Sequence, residues 1–153
     1  MNRLELKIPP PAVAVLLFAG MRAISALAPT IELPAFIQLG AAGAISLAGG
    51  VVSLTGILTF RHAKTTLNPM KPEESLTLVR SGIYRRTRNP MYLGLLLVLV
   101  AWTIFLSCPW TLVGPLTFVV YMNRFQIVPE ERILADIFGS DYLDYKSKVR
   151  RWL

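Results

Sequence analysis

Apolar and polar positions divide the chain into four apolar runs, roughly 12–28, 34–60, 90–107 and 110–128. A polar connector at 61–89 separates the second from the third, and a mixed tail at 129–153 follows the fourth. A helix crosses a bilayer core with about 20 predominantly apolar residues, so these runs predict membrane spans. The first run has the outline of a signal peptide, with Ala26-Leu27-Ala28 near its end. Pro29 follows at once, Arg22 interrupts the run and three further runs come after it, so a retained helix is expected. Arg22 then snorkels outward or faces a helix neighbour. The second run carries Gly40, Gly43, Ala44, Ser46, Gly49, Gly50, Ser53 and Gly56 at helical spacings, as close helix packing in membranes requires.

Ser107-Cys108-Pro109-Trp110 joins the last two runs without a charge, which predicts a helical hairpin with an extracytoplasmic tip. A second hairpin from the first two runs places both termini and the connector in the cytoplasm. The expected fold is one all-α integral membrane domain over 1–153. It has about four transmembrane helices arranged as two hairpins, plus a C-terminal amphipathic segment on the cytoplasmic face. In that segment Ile133, Leu134, Ile137, Phe138, Tyr142 and Tyr145 recur at helical spacing between charges. Phe138-Gly139 predicts a glycine C-cap between two short helices, and Arg150-Arg151-Trp152 has the composition of an interfacial anchor.

Charge agrees with this topology. The 153-residue sequence is 54% hydrophobic and 16% charged, with a net charge of +7. Of its 16 Lys and Arg, seven fall between Arg61 and Arg88 and six between Arg124 and Arg151. Basic residues gathered between apolar runs mark the inner face of a membrane protein rather than a nucleic-acid platform, and no nucleic-acid partner is expected. The small size points to a prokaryotic inner membrane. Cys108 is single, which excludes an intrachain disulfide and reads as a buried small hydrophobe. His62 has no cysteine or acidic partner at ligand spacing, so no metal site is expected.

Candidate chemistry lies on the cytoplasmic side. The stretch from Ser81 to Gly94 has a structural reading: Asn89 as N-cap, Pro90 in the first helical position and arginines on the inner face. Pro129-Glu130-Glu131 can likewise open the last helix, its carboxylates favoured by the helix dipole. Taken together, Tyr84, Tyr92, a helix N-terminus and a carboxylate pair converge at one membrane–water boundary. Aromatic walls, backbone donors and a carboxylate suit a small, amphipathic, positively charged molecule.

Five elements in order carry a resemblance. They are Gly82-Ile83-Tyr84; Arg88-Asn89-Pro90-Met91-Tyr92-Leu93-Gly94; a helical hairpin; Glu130-Glu131; and Phe138-Gly139-Ser140-Asp141-Tyr142-Leu143-Asp144-Tyr145. From about Arg61 to Trp152 the chain resembles the isoprenylcysteine carboxyl methyltransferase and phospholipid methyltransferase superfamily of membrane enzymes. The resemblance implies S-adenosyl-L-methionine as cofactor, held by Leu76, Thr77, Leu78, Val79, Tyr84, Asn89, Pro90, Met91, Tyr92 and Glu130. It implies a methyl acceptor that is a lipophilic small molecule or a lipid-modified substrate, entering sideways from the lipid. Arg88 and Arg124 are candidates for steering an anionic acceptor.

Two positions depart from the family pattern. Asn89 stands where the family has histidine, and it cannot act as a titrating base. Gln126 stands where isoprenylcysteine enzymes place a substrate-binding arginine. Two other readings remain open at this point: an NADPH-dependent membrane reductase related to sterol reductases, with Arg85, Arg86 and Arg88 holding a phosphate, and a non-catalytic membrane protein that retains the scaffold. Neither the acceptor atom nor the oligomeric state is legible in the sequence.

Overall fold

The computed structural model describes residues 5–62 and 77–153, and every regular element among them is helical. The long helices are α1 (Pro10–Leu27), α2 (Ala35–His62), α3 (Pro90–Leu106), α4 (Val113–Tyr121) and α5 (Val128–Lys148). Short 3-10 turns cover Gly82–Arg85 and Pro109–Leu112, and a π turn covers Met122–Ile127. The middle of the expected connector, 63–76, lies outside the described residues, and Leu76 with it.

Prolines set most of the boundaries. Pro10 and Pro90 occupy first-turn positions, where a missing N–H is no loss. Ala28 and Cys108 turn extended immediately before Pro29 and Pro109, because a following proline disfavours the helical region. Ser107 ends α3 in the left-handed region with φ +48°.

The fourth apolar run and the tail are joined rather than separate. Backbone dihedrals stay helical at Tyr121, Met122, Ile127 and Val128, so α4, the π turn and α5 follow one another without a break. Pro129-Glu130-Glu131 therefore does not open a free helix N-terminus, and no helix-end dipole holds its carboxylates. Pro129 accounts for the π turn. It has no N–H to give the Phe125 carbonyl four residues back, and its ring crowds that oxygen, so the helix widens there. The Phe125 oxygen accepts the backbone N–H of Leu6 at 3.0 Å instead. As expected, Gly139 breaks the C-terminal helix in two: it stands between two helical segments of α5 at φ +52° and ψ −127°, a conformation that suits only glycine.

α2 and α3 form the most extensive helix pair. A Cβ at Gly49 would stand 2.7 Å from the Gly94 oxygen, and a Cβ at Gly56 would stand 3.0 Å from Pro90 Cγ. Ser53, between them, donates to the Met91 carbonyl at 3.4 Å. Gly40, Gly43 and Gly50 have nothing within 4 Å, so only part of the small-residue face is used inside the chain. Val13, Met21, Tyr92, Leu99, Phe118 and Met122 meet in the buried centre.

The connections sort to two ends. At one end the Ile31 N–H donates to the Ser107 oxygen at 2.7 Å, and the buried Cys108 sulfur lies 3.6 Å from the Pro29 oxygen. Gln38 bonds the Phe105 carbonyl nearby. At the other end the starts of α1 and α3, the end of α2 and the α4–α5 junction come together. Val15, Leu16, Leu47, Leu54, Leu116 and Val120 stay more than half exposed on α1, α2 and α4. By length and composition α1 and α2 can each cross a membrane, and α3 is an apolar helix of 17 residues. Arg22 is exposed and bonds Ser25, its outward alternative. An apolar cavity of about 290 Å³ opens between α1, α2 and α3, lined by Phe18, Leu39, Ala42, Gly43, Ser46, Val98, Ala101, Trp102 and Phe105.

Candidate functional site

The first turn of α3 and the first turn of α5 bring Tyr92 and Glu130 together. Tyr92 is buried and donates its hydroxyl to Glu130 Oε1 at 2.5 Å. Gln126, four residues before Glu130, is also buried and donates Nε2 to the same oxygen at 2.8 Å. Among the described residues both hydrogen bonds to Glu130 fall on Oε1, which leaves Oε2 to accept from a ligand. Burial pushes the Glu130 carboxyl up to about 7, and the neighbouring Glu131 charge adds to the rise. The bonds from Tyr92 and Gln126 pull the other way. Pro90 and Met91 pack towards Gly56 of α2 and fix where Tyr92 starts.

Tyr84 joins this group from the 3-10 turn. It is buried, its ring sits edge-on to Phe60 at 5.1 Å, and its carbonyl accepts the Tyr145 hydroxyl at 2.7 Å. Burial first, then the nearby Tyr145 and Glu130, push the Tyr84 phenol well above its ordinary range, so it stays neutral. The Tyr145 phenol is raised as well, mainly by burial. Tyr142, raised to about 12 by burial and by the Glu131 charge, lies 3.5 Å from Arg88 Nη1. Val79 is buried, Leu78 half-buried and Thr77 exposed, just upstream of Tyr84.

Glu131 does something different from its neighbour. Its carboxylate is buried and receives Arg88 Nη2 at 3.2 Å, Lys146 Nζ at 3.0 Å and Arg151 Nε at 2.7 Å. Burial alone would raise it, but the bonds from Arg151 and Lys146 and the Arg88 charge win and hold it below the usual carboxylate range. Arg88 is thus engaged inside the protein, while its buried Nε has no hydrogen-bond partner among the described residues.

The carboxy terminus returns to this cluster. The Asn89 side chain makes no cap to α3; its Nδ2 donates to the Arg151 carbonyl at 3.0 Å. Asn89 stands at φ −129° and ψ 58°, outside the extended conformation usual for a capping residue. Trp152 donates Nε1 to Asn123 at 3.2 Å and packs on the core. Arg151 and Trp152 therefore dock on the protein through Glu131 and Asn123, while both stay partly exposed.

The residues expected from sequence fall into three sets. Tyr84, Tyr92 and Glu130 meet, with Val79, Pro90 and Met91 beside them. Arg88 and Asn89 lie next to that group but face Glu131 and the carboxy terminus. Arg124 is apart: its partners are Glu5 at 3.1 Å and the Phe125 ring. Sequence reasoning missed Gln126 as a support for Glu130, although the four-residue spacing was there to see. It also missed Glu131 and Arg151 as a pair, which twenty positions of separation conceal. No group of three or more His, Cys, Asp or Glu side chains among the described residues is arranged for a metal.

A family model described as phospholipid methyltransferase matches residues 37–141, a span that includes Tyr84, Tyr92, Glu130 and Glu131. Protein-S-isoprenylcysteine O-methyltransferase B of Arabidopsis thaliana is 32% identical over 104 residues, covering 66% of this chain and 51% of the relative. The protein-S-isoprenylcysteine O-methyltransferase of Saccharomyces cerevisiae is 31% identical over 94 residues, covering 60% of this chain and 38% of the relative. An uncharacterized protein of Haemophilus influenzae is 49% identical over 63 residues, covering 41% of this chain and 100% of the relative. The chain therefore spans about half or less of the methyltransferases it matches. With its family match extending over most of the chain and across the tyrosine–glutamate cluster, the protein belongs to the phospholipid methyltransferase family.

Proposed function

We propose that the protein transfers a methyl group from S-adenosyl-L-methionine to a lipophilic acceptor at the cytoplasmic face of a membrane. The observation that carries this reading is the half-buried Glu130 carboxylate, held by Tyr92 and Gln126 beside Tyr84. A carboxylate whose second oxygen has no hydrogen bond among the described residues, walled by tyrosine rings, fits a ligand bearing hydroxyls, an ammonium and a sulfonium. When bound, the cofactor supplies a methyl group on a positively charged sulfur. Tyr84, Pro90, Met91 and Tyr92 then form the wall of the pocket, Thr77, Leu78 and Val79 its upstream edge, and Glu130 its polar end. Asn89 borders it.

No strong acid or base is needed for such a transfer. Positioning nucleophile and methyl in near-attack geometry supplies roughly 7–11 kcal/mol, provided the site is dry. Arg88, with the surrounding cations, sets a positive field that favours an anionic acceptor, and Arg124 adds charge at the same end of the bundle. Of the three arginines that a reductase would need for a phosphate, Arg88 is paired with Glu131 and Arg85 and Arg86 are exposed, which favours the transferase over a reductase.

The membrane arrangement follows the same reading. Four spans run as two hairpins whose tips meet through Ile31 and Ser107, while the basic segments gather at the Glu130 end. The exposed apolar faces of α1, α2 and α4 suit lipid, and both termini lie on the cytoplasmic side. In α5, Tyr142 and Tyr145 are buried against the protein, and the exposed Ile137 and Leu143 are the side chains that suit a membrane surface.

The test is transfer of a labelled methyl from S-adenosylmethionine in detergent–lipid micelles, with a prenylcysteine and phosphatidylethanolamine offered in turn. Labelled product extracted with either acceptor supports the proposal. Folded protein that neither binds S-adenosylhomocysteine nor transfers label would overturn it.

A further inference from the structure

The last residues of the chain form a strap across the cofactor end of the bundle. The backbone N–H of Arg88 donates to the Arg150 carbonyl at 3.0 Å. The Arg151 carbonyl accepts twice, from Thr87 Oγ1 at 3.0 Å and from Asn89 Nδ2 at 3.0 Å. The Asn89 N–H in turn donates to Thr87 Oγ1 at 3.2 Å, and Thr87 is almost fully buried. On the opposite side the Arg151 guanidinium bonds both Glu131 oxygens, at 2.7 and 2.9 Å, and Trp152 bonds Asn123 in the π turn.

These contacts tie two parts of the site that have no covalent reason to keep their distance. Residues 87–89 lead directly into Tyr92. Gln126 lies in the same π turn as Asn123, and Glu130 adjoins Glu131. The strap holds both sides at once, so it fixes the separation at which Tyr92 and Gln126 meet the Glu130 carboxylate. We infer that Arg150–Trp152 complete the cofactor site from outside and that Asn89 is a positioning residue that clasps the Arg151 carbonyl. In this role an amide serves as well as an imidazole, since either presents an N–H donor. The inference rests on the reading of the Tyr84–Tyr92–Glu130 cluster as the S-adenosylmethionine pocket.

Two measurements on the full chain test it. Hydrogen exchange at the Arg88 amide reports the strap without any cofactor, and calorimetric titration with S-adenosylhomocysteine reports the pocket. Asn89→Leu, which removes the donor at similar size, is expected to speed Arg88 exchange and weaken binding, each by about tenfold. Asn89→His is expected to stay near the parent in both. In a chain ending at Val149, Asn89→Leu should add no further loss of binding. Unchanged Arg88 exchange in Asn89→Leu would overturn the clasp, as would a binding loss that is undiminished in the shortened chain. If the shortened chain does not fold, the leucine and histidine variants decide by exchange alone. If the parent binds no S-adenosylhomocysteine, the cofactor reading fails, while Arg88 exchange still decides whether Asn89 holds the strap.

Discussion

Replacing Glu131 with alanine removes a buried carboxylate shared by three cations. Glu131 is 7% exposed at its side chain and Arg88 10%, whereas Lys146 and Arg151 are 40% and 36% exposed. Removing one partner of a buried pair costs about 3–5 kcal/mol, because the other charge is left stranded. Solvent screens most of what Lys146 and Arg151 lose, so Arg88 dominates and the lower end, about 3 kcal/mol, applies. For a chain of this size that lowers the melting temperature by roughly 6–12 °C. Helical circular dichroism during heating, in one detergent and at pH 7.5, measures it. Arg88→Ala in the Glu131→Ala background should recover part of the loss, since the stranded charge is then gone. Glu131 is held below its ordinary value of 4.5, so its contribution is intact above that pH and fades as pH falls through its lowered folded value. Glu130→Gln is the contrast. A carboxyl raised towards 7 loses stability for the fold as pH rises from 4.5, so neutralising it should cost less than about 1 kcal/mol at pH 7.5. A Glu131→Ala melting temperature within 2 °C of the parent, or a larger drop for Glu130→Gln, would refute this division of roles.

Other expectations concern binding and packing. S-adenosylhomocysteine affinity should fall about tenfold between pH 8 and pH 6, because Glu130 titrates near 7 and only its ionised form offers charge; a carboxylate of ordinary pKa would give a flat profile over that range. Gln126→Leu removes a bond that lowers the Glu130 pKa, so the fall should move to higher pH. Gly94→Ala should destabilise the fold by about 1–3 kcal/mol, since its Cβ would run into Ser53 and stand 2.5 Å from the Gly49 backbone oxygen. Gly114→Ala should cost less in the same thermal assay, because the atoms it meets belong to the flexible Met21 side chain. Arg124→Ala should leave S-adenosylhomocysteine affinity within about twofold, as its partners are Glu5 and Phe125.

Much of the fold was legible because prolines and apolar runs are local signals. The runs at 12–28, 34–60 and 90–107 became α1, α2 and α3 within a few residues, and Pro90 took the first-turn position its type favours. The fourth run was harder, because Pro129 widened the helix instead of ending it, and a proline's effect depends on whether the freed carbonyl finds another donor. Phe125 found Leu6, more than a hundred positions away. The topology already brought Tyr84, Tyr92 and the carboxylate pair to one end of the bundle, but apolar periodicity says nothing about which side chains bond there, so the Tyr92–Glu130 contact was not legible. Glu130 and Glu131 look alike in sequence yet face opposite surroundings, because adjacent helical residues point about 100° apart. The terminal Arg151 and Trp152 had a plausible lipid-facing reading from composition alone, and only the partners Glu131 and Asn123 give them their place.

Whether Glu130 and its two tyrosines bind S-adenosylmethionine is decided by calorimetric titration of S-adenosylhomocysteine into detergent-purified parent and Glu130→Gln protein at pH 7.5, with the reduced phosphorylated nicotinamide in a parallel cell. The parent should bind saturably, Glu130→Gln should lose about 1.5–3 kcal/mol with helical content unchanged, and the nicotinamide should give no heat. Equal affinity in both proteins, or binding of the nicotinamide alone, would show that this cluster is not the S-adenosylmethionine site.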